Sequence, residues 1–136
     1  MANRLPLAAL VCCLFYFSSC NSTQRSESSR LQVGWRPIAE FSGHGDSQTE
    51  SFDISSTQWR IKWRTKGASS PMAGTFHVVV HSAVSGRPLA DAVNHRGNGS
   101  GIAYVTDDPR LYHLVIDSSG VDWSVQVQEA VVGVPR

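Results

Sequence analysis

The strongest constraint in this sequence is a repeated alternation of apolar and polar residues in short segments from Trp35 onward. Successive side chains of a β-strand point to opposite faces, so a period of two predicts strands with one buried and one wet face. The clearest segments are residues 59–64, 76–81, 112–117 and 123–128, and weaker ones are 38–42, 51–54, 88–93 and 101–106. No stretch of helical period reaches the roughly 10 to 12 residues that a helix requires.

Turn-forming residues separate these segments. Glycine permits positive φ, proline fixes φ, and aspartate or serine bonds its own backbone, so each cluster ends one strand before the next begins. About eight short strands at this spacing predict an all-β fold, a single antiparallel β-sandwich of jelly-roll-like form. The residues predicted to fill its core are Trp59, Ile61, Trp63, Phe76, Val78, Val80, Leu114, Ile116, Trp123, Val125 and Val127.

Two parts of the chain share an order of features. Residues 52–63 and 114–127 each contain an apolar strand, a Ser-Ser turn and then a tryptophan followed by alternate apolar residues. We expect each of them to form a hairpin, one near each end of the sandwich.

Length and composition limit the functions open to the chain. A chain of 136 residues, 41% of them apolar, suits one domain whose core needs neither disulfides nor metals. Loss of a leader ending before Cys20 removes Arg4 alone of the 12 basic residues, which leaves 11 basic and 11 acidic residues. Nucleic-acid binders usually carry a basic excess, so we expect no nucleic-acid partner.

The first residues have the layout of a secretory signal. Residues 1–4 carry a positive charge, residues 5–17 are apolar apart from Pro6, and small residues follow. The apolar run is 13 residues long, whereas a helix that crosses the bilayer core needs roughly 20. We therefore expect residues 1–19 to be a signal peptide.

The motif Phe17-Ser18-Ser19-Cys20 resembles the lipobox of bacterial lipoproteins, in which the cysteine becomes the lipidated N-terminus after cleavage. The serines fit that pattern, whereas the family prefers an aliphatic residue where Phe17 stands. The resemblance implies a lipid anchor on Cys20 in an envelope membrane, followed by a polar tether over residues 20–34. The alternative is cleavage after Cys20, which would release a soluble secreted protein.

Residues 41–127, which open with Phe-Ser-Gly-His-Gly-Asp and close with Val-Asp-Trp-Ser-Val-Gln-Val, resemble small β-sandwich domains of uncharacterised bacterial secreted proteins and lipoproteins. That resemblance implies a fold and a location in the bacterial cell envelope, without an activity. We divide the chain into a signal peptide (1–19), a tether (20–34), a β-sandwich domain (35–130) and a C-terminal tail (131–136).

The sequence contains no recognisable catalytic set. It has no cysteine after position 20, no Gly-x-Ser-x-Gly elbow for a nucleophile, and no glycine-rich loop that opens a helix for phosphate. We therefore predict a non-catalytic binding or interaction module, without a cofactor. The alternative is a small extracytoplasmic hydrolase or metal-dependent enzyme whose site forms only in three dimensions.

Four side chains are candidate metal ligands. Alternation puts His77 and His81 on the outer face of one strand, and His113 and Asp117 on the outer face of another. If these strands are neighbours, imidazoles and a carboxylate converge on a divalent-metal site of the nitrogen and oxygen type. Otherwise they are polar residues facing solvent, since His77 and His81 lie about 13 Å apart along their strand.

Trp35 and Tyr104 fall outside the predicted core. Aromatic rings at a surface can bind a carbohydrate or a protein partner, so we predict that these two residues contact a ligand. The alternative is that they cap the end of the sandwich.

Overall fold

The structure, a computed structural model, describes residues 31–133 as nine antiparallel strands in two sheets, which confirms the predicted β-sandwich. The predicted signal peptide and Cys20 lie outside the described residues. The described residues form no helix, and so none that is long and apolar enough to cross a membrane. The strands are β1 (Gln32–His44), β2 (Ser47–Gln48), β3 (Phe52–Ile54), β4 (Gln58–Lys66), β5 (Thr75–Ser82), β6 (Pro88–Arg96), β7 (Gly99–Thr106), β8 (Arg110–Ser119) and β9 (Asp122–Gly133).

The strand order is that of a jelly roll. Sheet A has the order β1-β9-β4-β7, and sheet B has the order β8-β5-β6 with both β2 and β3 beside β8. Because β2 and β3 pair with separate parts of β8, they share one strand position, and the sandwich has eight positions. Apart from the β2–β3 and β5–β6 links, every connection crosses to the other sheet, as a jelly roll requires.

The core lies between the sheets, and ten of the eleven residues predicted for it are buried. The exception, Trp63, is half-buried and packs against the core. Aromatic rings join the sheets: the ring centroid of Trp59 on β4 lies 4.9 Å from that of Tyr112 on β8 and 5.6 Å from that of Phe52 on β3. Such pairs stabilise by about 0.5–1.5 kcal/mol beyond the area they bury. The buried apolar residues outside the predicted set are Phe52, Ile54, Val93, Val105, Tyr112 and Val121.

Tyr112 fastens the turn between β7 and β8. Its hydroxyl donates to the backbone carbonyl of Asp108 at 2.7 Å and lies 3.0 Å from Asp107 Oδ2. Burial and, to a smaller extent, the neighbouring Asp107 carboxylate raise the pKa of Tyr112 to about 12. The phenol therefore stays protonated, and able to donate, at neutral pH.

The expectation of two hairpins is wrong. β3 belongs to sheet B and β4 to sheet A, and β8 and β9 are divided in the same way. The turn at Ser55 and Ser56 connects sheet B to sheet A, and so does the turn at Gly120 and Val121, which follows Ser118 and Ser119 at the end of β8. Alternation shows which face of a strand is buried, but strands that face each other across a core alternate just as paired strands do.

The paired strands extend past the predicted domain limits of 35 and 130. β1 begins at Gln32 and β9 ends at Gly133, and these ends pair with each other. β4 pairs with β9 only as far as Glu129, so residues 32–35 and 130–133 form a two-stranded ribbon beyond the body of sheet A.

Glu129 is a carboxylate buried where this ribbon joins the sandwich, with 1% of its surface exposed. Arg36 on β1 forms an ion pair with it, and the backbone N–H groups of Ser55 and Ser56 donate to Oε2 at 2.8 and 3.2 Å. Burial alone raises the pKa of Glu129, but the hydrogen bonds and the charge of Arg36 outweigh burial and leave the pKa below its ordinary value. Glu129 thus ties β1, β9 and the β3–β4 turn together.

We expect stability to fall at acid pH through Glu129. Its pKa is lower in the folded protein than in the unfolded chain, where it is about 4.3, so its contribution is complete above that pH and is lost as the pH falls below it. Glu129→Gln should reduce the free energy of unfolding at neutral pH by about 1–3 kcal/mol. Urea unfolding at several pH values should show the difference from wild type shrinking as the pH falls below about 4.3.

Glu50→Gln is the matched control, because it removes an exposed carboxylate and should leave the free energy of unfolding nearly unchanged. A difference between wild type and Glu129→Gln that does not vary with pH would contradict this account of the buried carboxylate.

Candidate functional site

The structure brings together Trp35 and Tyr104, the two residues predicted to contact a ligand. Trp35 lies on β1 and Tyr104 on β7, which are the edge strands of sheet A. Their ring centroids are nevertheless 5.8 Å apart, with the ring planes tilted by 57°. Trp35 is half-buried, and Tyr104 is 66% exposed. The pair therefore forms an accessible aromatic surface on the outer face of sheet A.

A β-bulge on β1 turns Trp35 outward. The register between β1 and β9 shifts at Ile38, which is an extra residue with no partner on β9. Trp35 and Phe41 are an even number of positions apart and would share one face of a regular strand. The bulge removes that constraint, so Phe41 packs against Phe52 in the core while Trp35 points away from it.

Arg60 on β4 holds the Trp35 ring in place. It lies opposite Tyr104 on β7 and opposite Gln128 on β9. Its Cζ atom is 4.2 Å from the centroid of the Trp35 ring, and its Nε donates to Gln128 Oε1 at 2.7 Å. A guanidinium over an indole in this way contributes about 0.5–2 kcal/mol. We call Trp35, Arg60 and Tyr104 the aromatic platform.

The outward side chains of β4 form a row of cations. Arg60, Lys62, Arg64 and Lys66 occupy alternate positions and so share the outer face of sheet A. At roughly 3.3 Å per residue, this cation row is about 20 Å long. Among the described residues, Lys62, Arg64 and Lys66 take part in no ion pair. The signal is present in the sequence, where every second residue of 60–66 is basic, but a charge count over the whole chain cancels it.

Two shallow grooves lie along the cation row. The first has a volume of about 480 Å³, and its lining includes Glu40, Lys62, Arg64, Ile102, Ser124 and Gln126. The second has a volume of about 500 Å³, and its lining includes Ser42, Gly43, Arg64, Lys66, Asp122 and Ser124. Arg64 and Ser124 border both grooves, so the two adjoin. We call the two grooves together the sheet A trough, and the register of the strands places the aromatic platform at one end of it.

The four candidate metal ligands lie on neighbouring strands. β5 pairs with β8, which sets His77 opposite Asp117 and His81 opposite His113. The four side chains do not gather at one point: His77 Nε2 lies 2.9 Å from Asp91 Oδ1, whereas the rings of His81 and His113 contact each other, with centroids 5.3 Å apart. The described part of the chain contains no group of three or more His, Cys, Asp or Glu that could hold a metal ion. The structure therefore supplies no complete ligand set for the predicted metal site.

His113 is more enclosed than its outward position predicts, with 8% of its surface exposed. Burial lowers the pKa of His113, and the neighbouring His81 lowers it further. His81 is itself held by a hydrogen bond of 3.0 Å between Nδ1 and the carbonyl of Gly86. The folded protein therefore favours a neutral imidazole at position 113.

No family model and no curated protein matches the chain. A solved structure described by the words "Bacillus endospore appendages form a novel family of disulfide-linked pili" aligns with 75% of this chain and 91% of that chain. The identity is 9% and the TM-score is 0.42. A likeness at this level does not bear on function.

We expect stability to decrease as the pH falls below about 6.5, because the unfolded chain binds a proton at His113 more readily than the folded protein does. His113→Gln should therefore lose less stability than wild type between about pH 7 and pH 5.5, as measured by urea unfolding. His81→Gln removes only the smaller cause of the shift and should give an intermediate result. Equal pH dependence in wild type and His113→Gln would contradict the argument.

Proposed function

We propose that this protein is a non-catalytic binding module that recognises a carbohydrate on the outer face of sheet A. The observation that carries the proposal is the aromatic platform, in which rings from opposite edges of the sheet meet beside Arg60. Large rings stabilise a fold most when they are buried. Stabilisation of the fold therefore does not account for the 66% exposed Tyr104 beside the half-buried Trp35.

The groups around the platform suit a sugar. The apolar C–H face of a pyranose ring packs on an aromatic ring, while its hydroxyls need hydrogen-bonding partners. Gln126 lines the trough two positions along β9 from Gln128, and Ser124 lies further along the same strand, so both offer such partners to a sugar chain that extends from the platform. Arg60, itself held by Gln128, fixes the Trp35 ring before a ligand arrives, which reduces the loss of conformational entropy on binding.

The arrangement of side chains in the trough suits the binding of a carbohydrate better than its hydrolysis. A glycosidase needs two carboxyl groups about 5–10 Å apart. Glu40 and Asp122 border different grooves, and their register positions are about 13 Å apart along the strands. Asp122 is also engaged by His44, whose Nδ1 lies 2.9 Å from Asp122 Oδ1. These two carboxylates are therefore badly placed to cleave a bond, and the trough serves as a binding surface.

In this proposal the protein acts outside the cytoplasm, in the bacterial cell envelope. Residues 1–19 are removed as a signal peptide, and Cys20 carries the lipid that anchors the domain to a membrane. The 11 residues from Asn21 to Leu31 span at most about 40 Å when extended. Trp35 follows soon after this tether, so the platform stays close to the membrane and to the glycans of the envelope.

The proposal is tested by titrating the purified protein with two neutral polysaccharides, dextran and galactomannan, and two acidic ones, polygalacturonate and dextran sulfate. We expect saturable binding to at least one of them by isothermal titration calorimetry. Trp35→Ala and Tyr104→Ala should each weaken that binding by about tenfold or more, since each removes a stacking surface.

Leu111→Ala is the control, because Leu111 is a large exposed side chain on the outer face of sheet B. Its affinity should equal that of wild type, and thermal melting should show that all three variants are folded. The proposal fails if no polysaccharide binds, or if neither platform variant weakens the binding.

A further inference from the structure

We propose that the ligand of the sheet A trough is an acidic polysaccharide that runs along β4, with its carboxylate or sulfate groups paired to Lys62, Arg64 and Lys66. This inference rests on the proposed carbohydrate-binding function and specifies the class of carbohydrate. It is carried by the cation row and the trough, whereas the proposed function is carried by the aromatic platform.

The cation row has the geometry of a site for a linear polyanion. Its members are about 6.6 Å from one another along a single strand, so their charges follow a straight line. β4 lies inside sheet A between β9 and β7, which keeps this line rigid. Like charges at this spacing repel one another, and a bound anion would remove that repulsion.

The cations in the trough are free to bind. Arg60 is engaged with Trp35 and Gln128, but Lys62, Arg64 and Lys66 form no ion pair among the described residues. The acidic groups among the named lining residues are Glu40 in the first groove and Asp122 in the second. Three unpaired cations against these two carboxylates, one of them shared with His44, leave the trough positive.

The lining of the trough favours a polysaccharide over other polyanions. Single-stranded nucleic acid binds by stacking successive bases on a series of aromatic rings. Beyond the platform, Trp63 and Trp123 are among the residues that line the two grooves. Alternation turns both rings toward the core, where they pack against Phe76, so among the described residues no such series of rings faces the solvent there. Serine and glutamine side chains line the grooves instead. A membrane surface is broad and planar, whereas the trough is concave, with β1, β4 and β9 all contributing to its lining.

The test compares dextran with dextran sulfate and polygalacturonate, by isothermal titration calorimetry at low and high salt. We expect wild type to bind the acidic polymers at least about tenfold more tightly than dextran. Raising the ionic strength from about 0.05 M to about 0.5 M should weaken that binding strongly, because salt screens exposed charges. Lys62→Gln/Arg64→Gln should weaken it by about tenfold or more.

Arg87→Gln/Arg96→Gln is the matched control, because it removes the same charge from exposed positions outside sheet A. It should bind the acidic polymers as wild type does. Equal loss of binding in the two double variants would overturn the assignment to the cation row, because it would show that affinity depends on the net charge of the protein and not on the position of the cations. Thermal melting should show both variants to be folded.

The outcomes separate this inference from the proposed function. If dextran binds as tightly as the acidic polymers, and only Trp35→Ala weakens it, the acidic ligand is wrong and the carbohydrate-binding function stands. If no polysaccharide binds, both fail. Tighter binding to oligothymidylate, or to vesicles of phosphatidylglycerol and phosphatidylcholine, with the same dependence on Lys62 and Arg64, would overturn the polysaccharide in favour of that ligand.

Discussion

The outer face of sheet A depends on the burial of one tryptophan. Trp59, at the start of β4, packs against Phe52 and Tyr112 of the opposite sheet. A ring of this size buries about 150–250 Å², which corresponds to roughly 4–6 kcal/mol. Once Trp59 points inward, Arg60 points outward, and the same alternation sets the remaining cations of β4 on the outer face. The aromatic layer of the core thereby determines where the charges stand.

A second constraint keeps Trp35 at the site. β1 is an edge strand and has a neighbour on one side only, so its end would fray easily without a further attachment. Arg36 supplies that attachment through its ion pair with the buried Glu129. Because Arg36 points inward, the preceding Trp35 points outward toward Arg60. One buried carboxylate therefore supports the stability of the sandwich and the position of a ring in the platform.

The sequence was sufficient for the fold class and for most of the core, since alternation reports the buried face of each strand directly. It could not reveal which sheet a strand joins. Residues 52–63 and 114–127 are predicted to be hairpins, but each connects a strand of sheet B to a strand of sheet A. It also marked Trp35 and Tyr104 as residues outside the core, but their contact depends on strand order and on a bulge at Ile38 that interrupts the alternation. The cation row was readable from residues 60–66, yet it was hidden by a charge count over the whole chain.

The balanced charge of the chain conceals an asymmetry between its two faces. The outer face of sheet A carries the four cations of the cation row against Glu40 and Asp122, whereas the outer face of sheet B carries Asp53, Asp91 and Asp117 against Arg96. Opposite charges on opposite faces give the domain a dipole across the sandwich, even when its net charge is near zero. Such a field turns the positive face toward a polyanion and the negative face away from it. A domain of zero net charge can therefore approach an acidic polymer with the outer face of sheet A toward the polymer. The same charges spread evenly over the surface would not orient the domain in this way.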